Sequence, residues 1–159
     1  MSPITLTDCF AKFSKDELLV GEDMWHCPKC NQKREARKKL EICRLPKVLI
    51  IHIKRFKEKR YQMQKDEALV NFPLEKLDMQ NHVPQGFRGE DPKALQYELL
   101  GVCNHSGGLD GGHYTACIKY KTSNHTRWIK FDDHYVSPVE EKHIVTPEAY
   151  VLFYKHSSI

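Results

Sequence analysis

Short apolar stretches with strand character, separated by connections rich in turn residues, limit what this chain can fold into more than any other feature. Val48 to Phe56 is the strongest of them and is rich in β-branched residues. Leu69 to Phe72 is a shorter one that stops at Pro73. Tyr97 to Asn104, His113 to Tyr120, Arg127 to Phe131 and Tyr150 to Tyr154 follow. Helical signals are few. Thr5-Leu6-Thr7-Asp8 has the form of a capping box before a short helix reaching Phe13. Many strands with short connections and few helices predict an α+β domain on a mostly antiparallel sheet. Residues 78–93, with two Pro and two Gly, read as an irregular excursion, and Lys57 to Asp66 as a loop or hairpin turn. Met1-Ser2-Pro3 reads as an arbitrary start.

At 159 residues the chain has the length of about one domain, and 40% hydrophobic residues suffice for a core. No tract is repetitive, so disordered and fibrous classes are excluded. The longest apolar run, Val48-Leu49-Ile50-Ile51, falls far short of the roughly 20 residues that span a bilayer. No opening segment resembles a signal peptide. The expectation is a soluble intracellular protein, cytoplasmic or nuclear, with no membrane partner. A net charge of +4 is mild, and both basic clusters (Lys33 to Lys39, Lys54 to Arg60) contain acidic residues and lack the repeated aromatic interleaving of a single-strand binder. Nucleic acid is therefore not expected as a partner.

One pair of residues suggests chemistry. If Lys121 to Thr126 closes a hairpin centred between Thr122 and Ser123, His113 lies opposite Asp132. A shift of the centre by one residue makes the two diagonal neighbours, still within side-chain reach. A carboxylate there fixes the imidazole tautomer and leaves the second ring nitrogen as a base. Asp133 points to the other face by the two-residue period of a strand. A plain surface His–Asp pair satisfies the same pattern. Gly107, Gly108, Gly111 and Gly112 precede the histidine. They suit either a mobile lid or an ordinary flexible hairpin loop.

A base needs a nucleophile. Cys117 shares a strand face with His113 but stands roughly 13 Å away at the strand rise. Cys103 is the internal rival, set between apolar neighbours where a buried thiol is inert. The six cysteines read as reduced thiols. Cys27-Pro28-Lys29-Cys30 forms either half of a tetrahedral zinc site or an unmetallated turn, and no second Cys-x-x-Cys occurs.

Three segments then become recognisable together: Gly111-Gly112-His113-Tyr114-Thr115-Ala116, Trp128 to Ser137, and Ala149 to Tyr154. They resemble the histidine box and C-terminal strand of ubiquitin-specific proteases. Leu45 to Phe56 resembles that family's central strand before the first blocking loop, and Cys27–Cys30 its second zinc knuckle. The resemblance runs from about Ile4 to His156. It implies the palm and part of the fingers of a papain-like cysteine protease fold, with residues 24–45 in the fingers and residues 46–156 in the palm. It implies deubiquitination: thiol-dependent hydrolysis of the bond after the C-terminal glycine of ubiquitin. His113 becomes the general base and Asp132 its orienter, with Asp133 as the fallback. His105, Gly107, Gly108, Gly111, Gly112 and Tyr114 fall where the family binds the ubiquitin tail, and Cys27 and Cys30 where it binds structural zinc.

The family's Asn-x-Cys-Phe cysteine box, oxyanion donor and first zinc knuckle have no counterpart in these residues. The resemblance therefore implies the C-terminal half of one catalytic domain, which lacks the nucleophilic Cys and is inactive alone. Its expected partners are ubiquitin or ubiquitinated proteins and the missing N-terminal half, which would also complete the zinc site. A non-catalytic ubiquitin-binding or scaffold fragment is the alternative.

Overall fold

The computed structural model describes residues 3–59, 62–89, 95–123 and 125–158, without the side chains of Lys59 and Gln62. The expected start at Met1-Ser2, part of the 57–66 turn, the end of the 78–93 excursion and Asn124 in the 121–126 turn lie outside the described residues.

The chain opens with β1 (Ile4–Thr5) and its one described α-helix, α1 (Leu6–Phe13). Thr5 caps α1 by accepting from the Asp8 amide at 3.1 Å, and the Asp8 carboxylate accepts from the Thr5 amide at 2.9 Å. This reciprocal pair is the capping box that the sequence predicts. Four short strands follow: β2 (Glu17–Leu19), β3 (Trp25–Cys27), β4 (Gln32–Arg34) and β5 (Ala36–Lys38). They pair as β2–β5 and β3–β4, away from the main sheet.

The central part supplies β6 (Val48–His52), β7 (Phe56–Lys59), β8 (Gln62–Lys65), β9 (Val70–Asn71) and β10 (Leu77–Asp78). The last part supplies β11 (Gln96–Gly107), β12 (Gly112–Lys121), β13 (Thr126–Asp132), β14 (Tyr135–Val139) and β15 (Ala149–His156). The main sheet runs β14-β13-β12-β11-β15-β6, with β10 also on β11, and every pairing in it is antiparallel. The small β1–β9 pair is parallel. Mostly antiparallel sheet with one helix is the architecture that the strand pattern predicts.

One face of the sheet is covered. Leu6 and Phe10, four residues apart on α1, join Leu99, Val102, Cys117, Trp128, Leu152 and Tyr154 in a single core. Tyr154 and Tyr97 are fully buried, and each hydroxyl donates at 2.6 Å to a proline carbonyl, of Pro73 and Pro46 respectively. Burial thus leaves neither polar tip unpaired.

Two expectations need correction. Val48 to Phe56 is not one strand. It breaks after His52 because Arg55 turns inward, 2% exposed, to donate to the carbonyls of Ala149, Asp66 and Ala68 at 2.8–2.9 Å. Phe56 then starts a separate hairpin with β8. The glycine-rich stretch is strand at both ends: Gly107 pairs with Gly112, and the turn is confined to residues 108–111. Gly107 adopts φ +91°, which glycine alone tolerates well.

Arg55 clamps the β7–β8 hairpin to β15, so Arg55→Leu strands three carbonyls in a dry region. The expected cost is about 3 kcal/mol or more, read as a lower midpoint in denaturant unfolding of the 159-residue chain.

Candidate functional site

Register decides the site. On the β12–β13 ladder Lys121 faces Thr126 and Ala116 faces Phe131, which carries Asp132 to the level of Thr115. The hairpin is centred one residue later than the first alignment assumed, so His113 and Asp132 are diagonal neighbours. Both side chains stand on the same face, and His113 Nε2 meets Asp132 Oδ1 at 2.6 Å. The bond engages Nε2, so Nδ1 is the ring nitrogen available to accept a proton. The imidazole is about half exposed and the carboxylate one third.

Each partner shifts the other. The bond to Asp132 raises the pKa of His113, and the bonds from His113 and then Lys130 hold the Asp132 carboxyl below its usual range. A histidine raised in the folded state stabilises the fold fully below its unfolded pKa. That contribution disappears as pH climbs through the folded value.

Asp133 has a different place. It enters the tight turn between β13 and β14 with φ +52°, a conformation that Asp tolerates in two-residue hairpin loops. Its carboxylate lies within 4.8 Å of both His113 and Asp132 but only Asp132 bonds the ring. Lys130 was not singled out from the sequence. Its Nζ sits 2.9 Å from Asp132 Oδ2, and its place two residues before Asp132 on one strand face was the available signal.

The two rival thiols are set apart from this pair. Cys103 pairs with Ala116, so it faces the opposite side of the sheet from His113, whose partner is Ser106. Cys117 shares the His113 face but is buried at the level of Val102. Burial raises the pKa of both thiols.

On that opposite side, His105, Tyr114, Tyr150 and Phe56 form one aromatic group, with the rings of His105 and Tyr114 4.7 Å apart. His105, which the resemblance puts at the family's tail-binding position, is 3% exposed, whereas Tyr114 beside it is 55% exposed. The Lys65 ammonium donates to the His105 carbonyl at 2.5 Å and ties β8 to β11. Gly112 lies against this group, where an added methyl would overlap the His105 ring and come 2.6 Å from the Ser106 carbonyl. Gly108 and Gly111 are exposed in the turn, closed by a 3.0 Å bond between them.

Cys27 and Cys30 bracket the β3–β4 turn. Hydrogen bonds from the Cys30 and Lys29 amides lower the Cys27 thiol's pKa. That is the donor chemistry of a metal knuckle, since a ligating sulfur is a thiolate. Among the described residues, no third His, Cys, Asp or Glu donor joins the pair.

Comparison with known proteins accords with this arrangement. Residues 18–154 match the model of the UCH family, ubiquitin carboxyl-terminal hydrolase. Putative ubiquitin carboxyl-terminal hydrolase 11 of Arabidopsis thaliana is 45% identical over 152 residues, which cover 96% of this chain and 16% of that protein. Ubiquitin carboxyl-terminal hydrolase 15 of Bos taurus is 43% identical over 152 residues, 96% of this chain and 15% of that one. The structure of the SAGA Ubp8/Sgf11/Sus1/Sgf73 DUB module bound to ubiquitin aldehyde superposes with a TM-score of 0.75 at 31% identity, covering 97% of this chain and 34% of that one. Such neighbours define the fold as the papain-like one of ubiquitin-specific protease catalytic domains. The chain belongs to the ubiquitin carboxyl-terminal hydrolase family, and it spans about 16% of the length of the curated relatives it matches. Among the described residues no helix is long and apolar enough to cross a membrane.

Two substitutions test the geometry. Asp132→Asn is expected to move the His113 titration midpoint down, followed through its ring carbon signals by NMR. An unmoved midpoint would contradict the bond. Gly112→Ala forces the His105 ring or the hairpin to shift, at a cost of about 1–3 kcal/mol in thermal or denaturant unfolding.

Proposed function

We propose that this chain supplies the base and its orienter to a ubiquitin-specific thiol hydrolase, while the nucleophilic cysteine comes from a segment outside these 159 residues. The 2.6 Å bond between His113 Nε2 and Asp132 Oδ1 carries the reading, because it fixes which ring nitrogen is free. Nδ1 takes the proton of the incoming thiol, and the thiolate attacks the carbonyl of ubiquitin's C-terminal glycine. The imidazolium returns that proton to the departing amine as the C–N bond breaks. Water, deprotonated by the same nitrogen, then cleaves the thioester and regenerates the thiol.

Several features support the rest of the assignment. Tyr114 and the Gly107–Gly112 tip lie on the strands that carry the base, where an extended peptide tail could be held. The placement of Cys103 on the far face and of Cys117 in the core argues that neither is the nucleophile. Buried Asn104 Oδ1 and Trp128 Nε1 have no hydrogen-bond partner among the described residues, as befits a face that a further segment covers. Cys27 and Cys30 would hold structural zinc, with two ligands from that same segment. The β3–β4 hairpin then belongs to the fingers and the main sheet to the palm. Reduced thiols suit a cytoplasmic or nuclear setting. A ubiquitin-binding module without catalysis is the second reading, favoured by the same cysteine placement.

A fluorogenic ubiquitin C-terminal substrate separates these. The chain alone is expected to show no turnover. Addition of a family segment carrying Asn-x-Cys-Phe restores it, and His113→Ala then lowers it about 10³-fold or more. Turnover by the chain alone that is lost on Cys103→Ala overturns the proposal, and no turnover in any combination leaves the binding module. Tight stoichiometric zinc in the isolated chain would contradict the shared metal site.

A further inference from the structure

We propose that Lys130 is a positioning residue for the His113–Asp132 pair: it occupies the second carboxylate oxygen and sets its charge against the acids that face the imidazole. The proposal rests on reading that pair as base and orienter.

Strand alternation puts Trp128, Lys130 and Asp132 on one face of β13, and the ladder sets Lys130 between Cys117 on β12 and Ser137 on β14. From there its ammonium reaches Asp132 Oδ2 at 2.9 Å, while Oδ1 receives His113 Nε2 at 2.6 Å. The carboxylate therefore has one nitrogen donor on each oxygen, the Lys130 ammonium on one and the His113 ring on the other. With Oδ2 occupied, it cannot turn its plane away from the ring without breaking an ion pair.

Charge balance points the same way. The groups facing His113 are Asp132 and Asp133, which favour its protonated form, and Lys130, which opposes it. The groups facing Lys130 are Asp132, Cys117 and Glu148. Asp132 raises the pKa of Lys130, so the ammonium stays charged wherever the imidazole titrates. Two acids beside a single histidine favour the imidazolium, and Lys130 offsets part of that pull. A base works best when its pKa lies near the working pH.

Two consequences of losing Lys130 oppose one another. Freer rotation of the carboxylate weakens the ordered bond, whereas loss of a neighbouring positive charge favours the imidazolium. Either carboxylate oxygen can accept from Nε2, so the bond survives in a less fixed geometry, and the direction of the shift is then set by the lost positive charge.

The experiment follows the His113 ring signals by NMR against pH in the 159-residue chain. Lys130→Met keeps the aliphatic stem and is expected to shift the midpoint up, while Lys130→Arg restores it. Lys130→Gln gives a second neutral variant should methionine disturb the strand. A midpoint unchanged or lowered in both neutral variants overturns the proposal, since a merely structural lysine would leave it in place. Asp132→Asn in the same series reports on the pair itself. If that variant fails to lower the midpoint, the underlying reading of base and orienter is what fails.

Discussion

The ladder between β12 and β13 is the constraint from which the site follows. A strand pair fixes side-chain neighbours to within one residue, and a slip by one sends every side chain to the other face. With Lys121 facing Thr126, the imidazole and the carboxylate meet one step beyond the last recorded ladder pair, Ala116 with Phe131. They meet there through their side chains alone. Cys117 and Trp128 lie on the same face in the core and hold the two strands in that alignment. The apolar packing that stabilises the sheet and the contact that gives it chemistry are thus one structural fact, set by which residues alternate inward.

Exposure along β12 shows why the base is where it is. Moving outward on one face, Cys117 is buried, Thr115 is half-buried and His113 is largely open. An imidazole buried further in would be desolvated toward the neutral form, as happens to His105, whose pKa burial lowers. At the rim, the bond to Asp132 outweighs desolvation and the shift reverses. Two histidines on neighbouring strands, His105 and His113, differ in direction because one sits under a roof and the other beside a charged partner.

Much of this was legible from residue order, and the failures have physical causes. The capping box, the antiparallel class and the proximity of His113 to Asp132 rest on local rules of period, cap and turn, which tertiary contacts did not override. The strand β14 gave no alternation, because it is an exposed edge strand with Pro138 inside it, and edge residues need no apolar period. The break after His52 depended on Arg55 finding Ala149, a carbonyl 94 residues away, which no local pattern encodes. The burial of His105 likewise came from Phe56 and Tyr150 on other strands. Lys130 was readable in principle, but a lysine on a strand face is ordinary until its neighbour is known to carry a role.

The hairpin tip joins two environments that the sheet otherwise separates. Ser106 and His113 face one side, while His105, Tyr114 and Gly112 face the other. In mid-sheet those faces would be insulated by backbone, but at a free tip of four residues both are open around the same edge. Small residues at that edge keep the distance short: a methyl at Gly112 or Gly107 would strike its neighbours across the hairpin. Glycine here is a condition for close approach of strands and rings.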